Sequence, residues 1–165
     1  MTVNGTHIYT APIASVLAML RDKDATAAKY ESQGHREIEV LECGEHDGGI
    51  RIVSTRVVTV DLPGFAKKVL KPTNAMRQTD IWQPAADGSW NGTFDVDVSG
   101  APLHLSGTMA LRADGDTTTH DVAIDVKVKV PLIGGKIADW AAKNDVQRTL
   151  DAEFAFNENW LAGHH

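Results

Sequence analysis

Residues 117–130 read TTTHDVAIDVKVKV, and this stretch decides the fold. Val or Ile occupies every second position from 122 to 130, and Asp121, Asp125, Lys127 and Lys129 alternate with them, which is typical of a strand with one buried and one solvated face. Residues 89–98 and 102–112 alternate in the same way. Short turns separate these stretches, so consecutive strands must be antiparallel. The turns carry Asp87-Gly88, Ser99-Gly100 and Asp114-Gly115.

The other elements can be placed around these three strands. Residues 3–10 predict a first strand, and Pro12 suits the first turn of a helix, where its missing N–H costs nothing. A second short helix is predicted over 25–33, before Gly34. Further strands are predicted over 36–43, 50–60 and 75–83, with one or two helical turns over 62–70.

A long C-terminal helix is predicted over 133–161, which contains no proline and has glycine only at Gly134 and Gly135. Its apolar residues form a helical stripe, and at 1.5 Å per residue it would be about 40 Å long. A helix of that length is long enough to cross a whole curved sheet. The predicted fold is therefore α+β: a curved seven-stranded antiparallel sheet around a long C-terminal helix, with two short helices after strand 1.

Composition excludes several classes of protein. The chain has 165 residues, a length that predicts a single domain, here over 1–162. It has 22 acidic and 16 basic side chains, and this acidic excess predicts that it has no nucleic-acid partner. No apolar run reaches the roughly 18 residues of a spanning helix. No signal peptide is evident, and Cys43 is the one cysteine, so a cytoplasmic setting is predicted. Gly163, His164 and His165 are interpreted as a tag remnant.

Several motifs carry a family resemblance over nearly the whole chain. The element order is similar to that of the START-like (SRPBCC) helix-grip superfamily, and the chain resembles a bacterial branch catalogued as a domain of unknown function. Relatives in that superfamily carry lipids, sterols and other apolar molecules, shape polyketides or act as co-chaperones, and one fold hosts many functions. The motifs are Ile8-Tyr9-Thr10-Ala11-Pro12, Leu62-Pro63-Gly64-Phe65, Gln78-Thr79-Asp80-Ile81-Trp82, and Val130-Pro131-Leu132-Ile133-Gly134-Gly135-Lys136-Ile137.

A curved sheet gripping one helix leaves either a ligand cavity or a core filled by its own aromatic rings. Gly92 and Gly107 fall on the buried parity and would make room or mark bends. If a cavity exists, it is expected to hold a small hydrophobic or amphipathic ligand. The predicted lining residues are His7, Tyr9, Arg56, Gln78, Asp80, Trp82, Trp90, Phe94, Met109, Ile137, Trp140 and Phe154.

Polar residues in two central strands allow two assignments. Gln78 and Asp80 share parity with Trp82, and a ligand headgroup could be held by them, by Arg56 and by the first-strand residues. The parity of Val53, Val57 and Ile81 favours the opposite assignment, an Arg56–Asp80 pair on the solvated face.

Catalytic and metal signatures are weak. The sequence has no Gly-x-Ser-x-Gly elbow, no phosphate loop and no His-x-x-x-His pair on a helix, so no cofactor or metal is predicted. Lys67, Lys68 and Lys71 form a small basic cluster that could touch a membrane transiently, although a solvated loop is the favoured interpretation.

Three functional hypotheses follow. The first is a non-enzymatic carrier of a lipid-like or polyketide-like molecule. The second is a cyclase or aromatase that uses His7, Tyr9 or Asp80 as acid and base in the same cavity. The third is a co-chaperone-like interaction protein, which would have a filled interior and an exposed apolar patch. The sequence leaves the oligomeric state open.

Overall fold

A computed structural model describes residues 1–164 and shows one antiparallel sheet that curves around a C-terminal helix. The sheet has seven strands in the order β1-β7-β6-β5-β4-β3-β2. The predicted fold class is confirmed. The strands are β1 (Thr2–Tyr9), β2 (Arg36–His46), β3 (Gly49–Thr59), β4 (Thr73–Pro84), β5 (Trp90–Val98), β6 (Leu103–Asp114) and β7 (Thr117–Val128).

Two short helices follow β1: α1 (Ile13–Leu20) and α2 (Lys23–Ser32). Asp22 starts α2 two residues earlier than predicted, because its carboxylate accepts from the N–H groups of Asp24 and Ala25. This capping satisfies donors that a helix N-terminus otherwise leaves without partners. α2 carries Lys29, as the predicted helix also would, and this residue contributes to the site described below.

The C-terminal helix is continuous but not uniform. It runs as α3 (Gly134–Ala141), a π-helical turn over Ala142–Val146, and α4 (Gln147–Gly163). In the π turn the N–H of Gln147 bonds back to the carbonyl of Ala142, one residue further than in an α-helix. α4 extends through Gly163, and the His164 ring stacks on Trp160; His165, also assigned to the tag remnant, lies outside the described residues.

The core lies between the concave face of the sheet and the helices. β1 approaches α4 so closely that a Cβ on Gly5 would lie 3.1 Å from the Phe154 ring and would clash with Leu150. Glycine favours this close approach, because a larger residue would force the Leu150 and Phe154 side chains to move. In the described range, no helix is both long and apolar enough to cross a bilayer.

A separate small core closes one end of the molecule. Leu62, Ala66, Leu70 and Ile137 form it, with Trp140 packed alongside. The segment over 62–70 contains two isolated helical turns, in which the N–H groups of Lys67 and Leu70 bond to the carbonyls of Pro63 and Ala66, as predicted; the turns do not join into a longer helix.

Two inward glycines make space for aromatic rings. A Cβ on Gly92 would lie 2.9 Å from the Trp82 ring, and one on Gly107 would lie 2.7 Å from the Phe94 ring. The space that these glycines leave is therefore occupied by Trp82 and Phe94, which pack across the sheet onto bare backbone.

Candidate functional site

A cavity of about 400 Å³ lies between the concave face of the sheet, α2, and the part of the C-terminal helix that includes the π turn. A volume of this size lies within the range of small-molecule sites. Its mouth is marked by lining residues that are exposed to solvent: Ser32, Thr59, Arg148 and Ala152.

The floor of the cavity is apolar. Inward positions of five neighbouring strands supply it, because paired residues on adjacent antiparallel strands point to the same face. Trp82 is 1% exposed and forms part of this floor. The apolar lining from the sheet is Ile52, Val58, Met76, Trp82, Phe94, Val96, Leu105, Met109, Val122 and Ile124.

A polar chain crosses the wall formed by β3 and β4. Arg56 Nη2 donates to Gln78 Oε1 at 2.8 Å, and Gln78 Nε2 donates to Asp80 Oδ1 at 2.9 Å. Arg56 Nε donates to His35 Nδ1 at 3.0 Å, and its guanidinium lies 3.9 Å from the centroid of the Tyr30 ring. All five of these side chains line the cavity.

The favoured prediction of an Arg56–Asp80 pair on the solvated face is wrong. Arg56 pairs in register with Met76, and Asp80 pairs with Ile52, which places both polar residues on the inner face. Both are 7% exposed. Val53, which suggested the other parity, is also buried, so both faces of β3 are apolar here and alternation alone could not decide between them.

Burial shifts the charge state of two groups in this chain. Desolvation raises the pKa of Asp80, although nearby Lys29 opposes the shift. Desolvation also lowers the pKa of His35 to about 4, with the Arg56 charge adding to it. His35 is therefore neutral at pH 7 and accepts the Arg56 hydrogen bond at Nδ1.

An ion pair missed at the sequence level spans the cavity from α2 to α4. Lys29 Nζ lies 3.0 Å from Glu153 Oε1, and both side chains line the cavity. Burial alone would raise the pKa of Glu153, but Lys29, together with smaller contributions from neighbouring groups that include Arg56, lowers it below its usual value. The sequence carried a clue: Glu153 lies three residues after Leu150 and four before Asn157, on the buried face of α4.

A second polar group closes the other end of the cavity. Asn157 Nδ2 donates to Tyr9 Oη at 3.0 Å, and Tyr9 Oη lies 2.9 Å from His120 Nδ1. Burial lowers the pKa of His120 to about 4, so its ring is neutral, and burial raises the pKa of Tyr9. We assign the Tyr9 O–H as donor to Nδ1, which leaves the His120 proton on Nε2.

Three buried polar groups at the cavity wall lack protein partners within residues 1–164. They are Arg56 Nη1, His120 Nε2 and both polar atoms of the Gln33 amide. Buried donors without acceptors cost free energy. A ligand that carries hydrogen-bond acceptors would reduce this cost.

The structure divides the twelve predicted lining residues into two groups. Six line the cavity: Arg56, Gln78, Asp80, Trp82, Phe94 and Met109. Six others lie outside its wall: His7, Tyr9, Trp90, Ile137, Trp140 and Phe154.

Packing explains why the second group lies elsewhere. His7 is covered by α4, where its Nε2 donates to Glu158 at 3.1 Å and its ring stacks on Phe154. Tyr9 is fully buried behind His120. Trp90 lies beside the Arg21 guanidinium. Ile137 and Trp140 belong to the small end core.

Metal chemistry has no evident site. Within the described range, no group of three or more His, Cys, Asp or Glu side chains could hold an ion. Cys43 is free, and its Sγ–H donates to the Leu20 carbonyl at 3.2 Å. The cavity has an apolar floor and hydrogen-bonding groups along two sides.

Comparisons with known proteins agree with this architecture. Residues 4–161 match the model of a family described as Protein of unknown function (DUF2505). No curated protein matches the sequence significantly.

Solved structures resemble the chain over nearly its whole length. TTHA0849 from Thermus thermophilus superposes with a TM-score of 0.69 at 14% identity, covering 99% of this chain and 98% of that one. Norcoclaurine synthase from Thalictrum flavum gives 0.60 at 11% identity, covering 99% and 87%. A START superfamily protein from Mycobacterium smegmatis gives 0.53 at 13% identity, covering 98% and 97%. At these identities the likeness establishes the fold alone.

Proposed function

Since the chain belongs to the DUF2505 family of unknown function, its role has to be argued from its own cavity, and we propose that it is a binding module for a small amphipathic molecule. The observation that carries the proposal is the cavity of about 400 Å³ with an apolar floor and polar groups that lack protein partners. The START-like fold supports a ligand-binding scaffold in general.

The binding energy would come mainly from the apolar floor. Burial of about 300 Å² of ligand surface at 25 cal/mol per Å² supplies roughly 7 kcal/mol before the costs of association. That energy would correspond to a dissociation constant of about 10 μM without any cost of association, so the apolar floor alone should give weaker binding, between about 10 μM and 1 mM. Polar groups along the walls would orient the ligand and add to its affinity.

Filling the cavity provides a direct test. Leu105→Trp places a tryptophan on the inner face of β6, and Thr108→Trp places one at an exposed position on the outer face of that strand. We expect wild type and Thr108→Trp to bind 1-decanol in calorimetric titrations, and Leu105→Trp not to bind it. Equal binding by all three folded proteins would place the ligand elsewhere and refute the proposal.

The enzymatic alternative gains no support from the site. Of its three acid–base candidates, His7, Tyr9 and Asp80, Asp80 alone lines the cavity.

The interaction-protein alternative required a filled interior and an apolar patch. The large exposed apolar side chains in the described range include Ile8, Leu41 and Leu132, which lie on separate elements.

We propose that the protein works in the cytoplasm, since its single cysteine is a free thiol that needs no oxidising compartment. Transient membrane contact through Lys67, Lys68 and Lys71 remains a proposal for ligand delivery. Vesicle flotation with anionic and neutral lipids would test it.

A further inference from the structure

Arg56 is a permanent cation that is almost wholly buried. Its side chain is 7% exposed and lines the cavity. A guanidinium keeps its charge at all accessible pH values, and burial of a charge is costly unless it is paired and hydrogen-bonded. Its local partners therefore decide what the cavity can accept.

Those partners are neutral. Two of the five guanidinium N–H groups have protein acceptors, His35 Nδ1 and Gln78 Oε1. Tyr30 offers the face of its ring. Among residues 1–164, no carboxylate lies within 4.0 Å of Arg56, and Nη1 has no acceptor.

The other charged groups of the cavity have nearer partners than Arg56, although the Arg56 charge also acts on Asp80 and Glu153 from beyond salt-bridge distance. Lys29 pairs with Glu153 at 3.0 Å, and Arg148 pairs with Asp145 at 3.1 Å. Asp80 is held apart from Arg56 by Gln78, whose amide accepts from the guanidinium and donates to the carboxyl. Desolvation raises the pKa of Asp80, which favours its neutral form and weakens its role as a counterion.

From this geometry we infer that the cavity selects an apolar ligand with an anionic headgroup, bound against the Arg56 guanidinium. The inference rests on the proposed binding function and adds the ligand class. The shared chemistry is a planar or tetrahedral oxyanion, a carboxylate or a sulfate, which receives the charge-assisted hydrogen bonds that an arginine offers. At about 30 Å³ per atom, the cavity has room for roughly a dozen heavy atoms.

Ten-carbon ligands with different headgroups match this size. Calorimetric titration compares decanoate, decyl sulfate, 1-decanol and decyltrimethylammonium, all below their micelle concentrations. We expect the two anions to bind wild type at least tenfold more tightly than 1-decanol and the cation to bind weakest. A preference for decanoate over decyl sulfate would identify the planar carboxylate as the headgroup.

Two variants distinguish the effect of Arg56 on ligand affinity from the effect of removing one positive charge anywhere on the protein. Arg56→Met should lower decanoate affinity at least tenfold and leave 1-decanol affinity within twofold. Arg77→Met removes the same charge from an exposed position on the outer face of neighbouring β4, and it should leave both affinities unchanged. Arg56→Lys, which keeps the charge without the planar fork, should retain part of the preference and serves if Arg56→Met fails to fold.

The outcomes distinguish this inference from the proposed function. Equal binding of decanoate and 1-decanol to wild type would overturn the anion preference and leave a binding module in place. Equal losses in Arg56→Met and Arg77→Met would overturn the assignment to Arg56. Failure of every ligand to bind wild type would overturn both.

Discussion

His120 makes the stability of this fold dependent on acid in a calculable way. The ring is 5% exposed and neutral, because desolvation lowers its pKa from 6.5 to about 4 although Glu153 pulls in the opposite direction. Between pH 6.5 and about pH 4, His120 is protonated in the unfolded chain but neutral in the folded protein. The stabilising contribution is therefore complete above pH 6.5, falls as the pH drops, and is absent below pH 4.

The size of the effect follows from the shift. A difference of about 2.5 pKa units corresponds to about 3 kcal/mol of unfolding free energy, lost between pH 6.5 and pH 4. His120→Asn removes the titration and keeps an acceptor for the Tyr9 hydroxyl. The variant is expected to be less stable at pH 7.5 through lost ring packing, but its stability should fall less between pH 7.5 and 4.5.

Urea denaturation followed by circular dichroism at the two pH values measures this difference. Other groups titrate in the same range: His35 acts in the same direction, and Asp80, whose pKa is raised, acts in the opposite direction. The comparison between wild type and variant removes both contributions. We expect wild type to lose at least about 2 kcal/mol more than His120→Asn. Equal losses would show that His120 is not held neutral by burial.

Three further substitutions test the packing. Gly107→Ala should cost about 2 kcal/mol or more in urea denaturation, because the new Cβ would collide with the backbone carbonyl of Ala123 on β7 and overlap the Phe94 ring; an unchanged midpoint would contradict the close packing. Gly135→Ala, with no atom within 4 Å of its Cβ, should stabilise α3 by up to about 1 kcal/mol, and a lower midpoint would refute this. Lys29→Met should cost about 2 kcal/mol at pH 7.5 by leaving Glu153 unpaired in a partly solvated cavity, and less at pH 5, where Glu153 can protonate. A cost independent of pH would argue against the ion pair.

The fold could be predicted because its strands are two-faced. Where one face is polar, as in β5 and β7, alternation identifies the buried side directly. The terminal helix followed from an apolar stripe without proline. These patterns are local, so a single sequence carries them in full.

The site depends on information that local patterns lack. Both parities of β3 are apolar around Val53, so pairing register alone turns Arg56 inward. Lys29 and Glu153 were missed because a charged side chain on a helix usually faces solvent, and their meeting joins elements that are over 100 residues apart in the chain. Tyr9 is buried, but the His120 ring lies between it and the cavity, and that separation depends on tertiary packing.

The π turn over Ala142–Val146 holds one residue more than an α-helical turn would need, and α4 follows without a break. Deletion of one residue within the π turn would restore a regular helix and leave α4 close to its present orientation. Deletion of one residue at the start of α4 would instead rotate everything downstream by about 100° and take Glu153, Phe154 and Asn157 away from their partners together. During evolution a change of length by one residue should therefore be tolerated at the π turn far more readily than in α4.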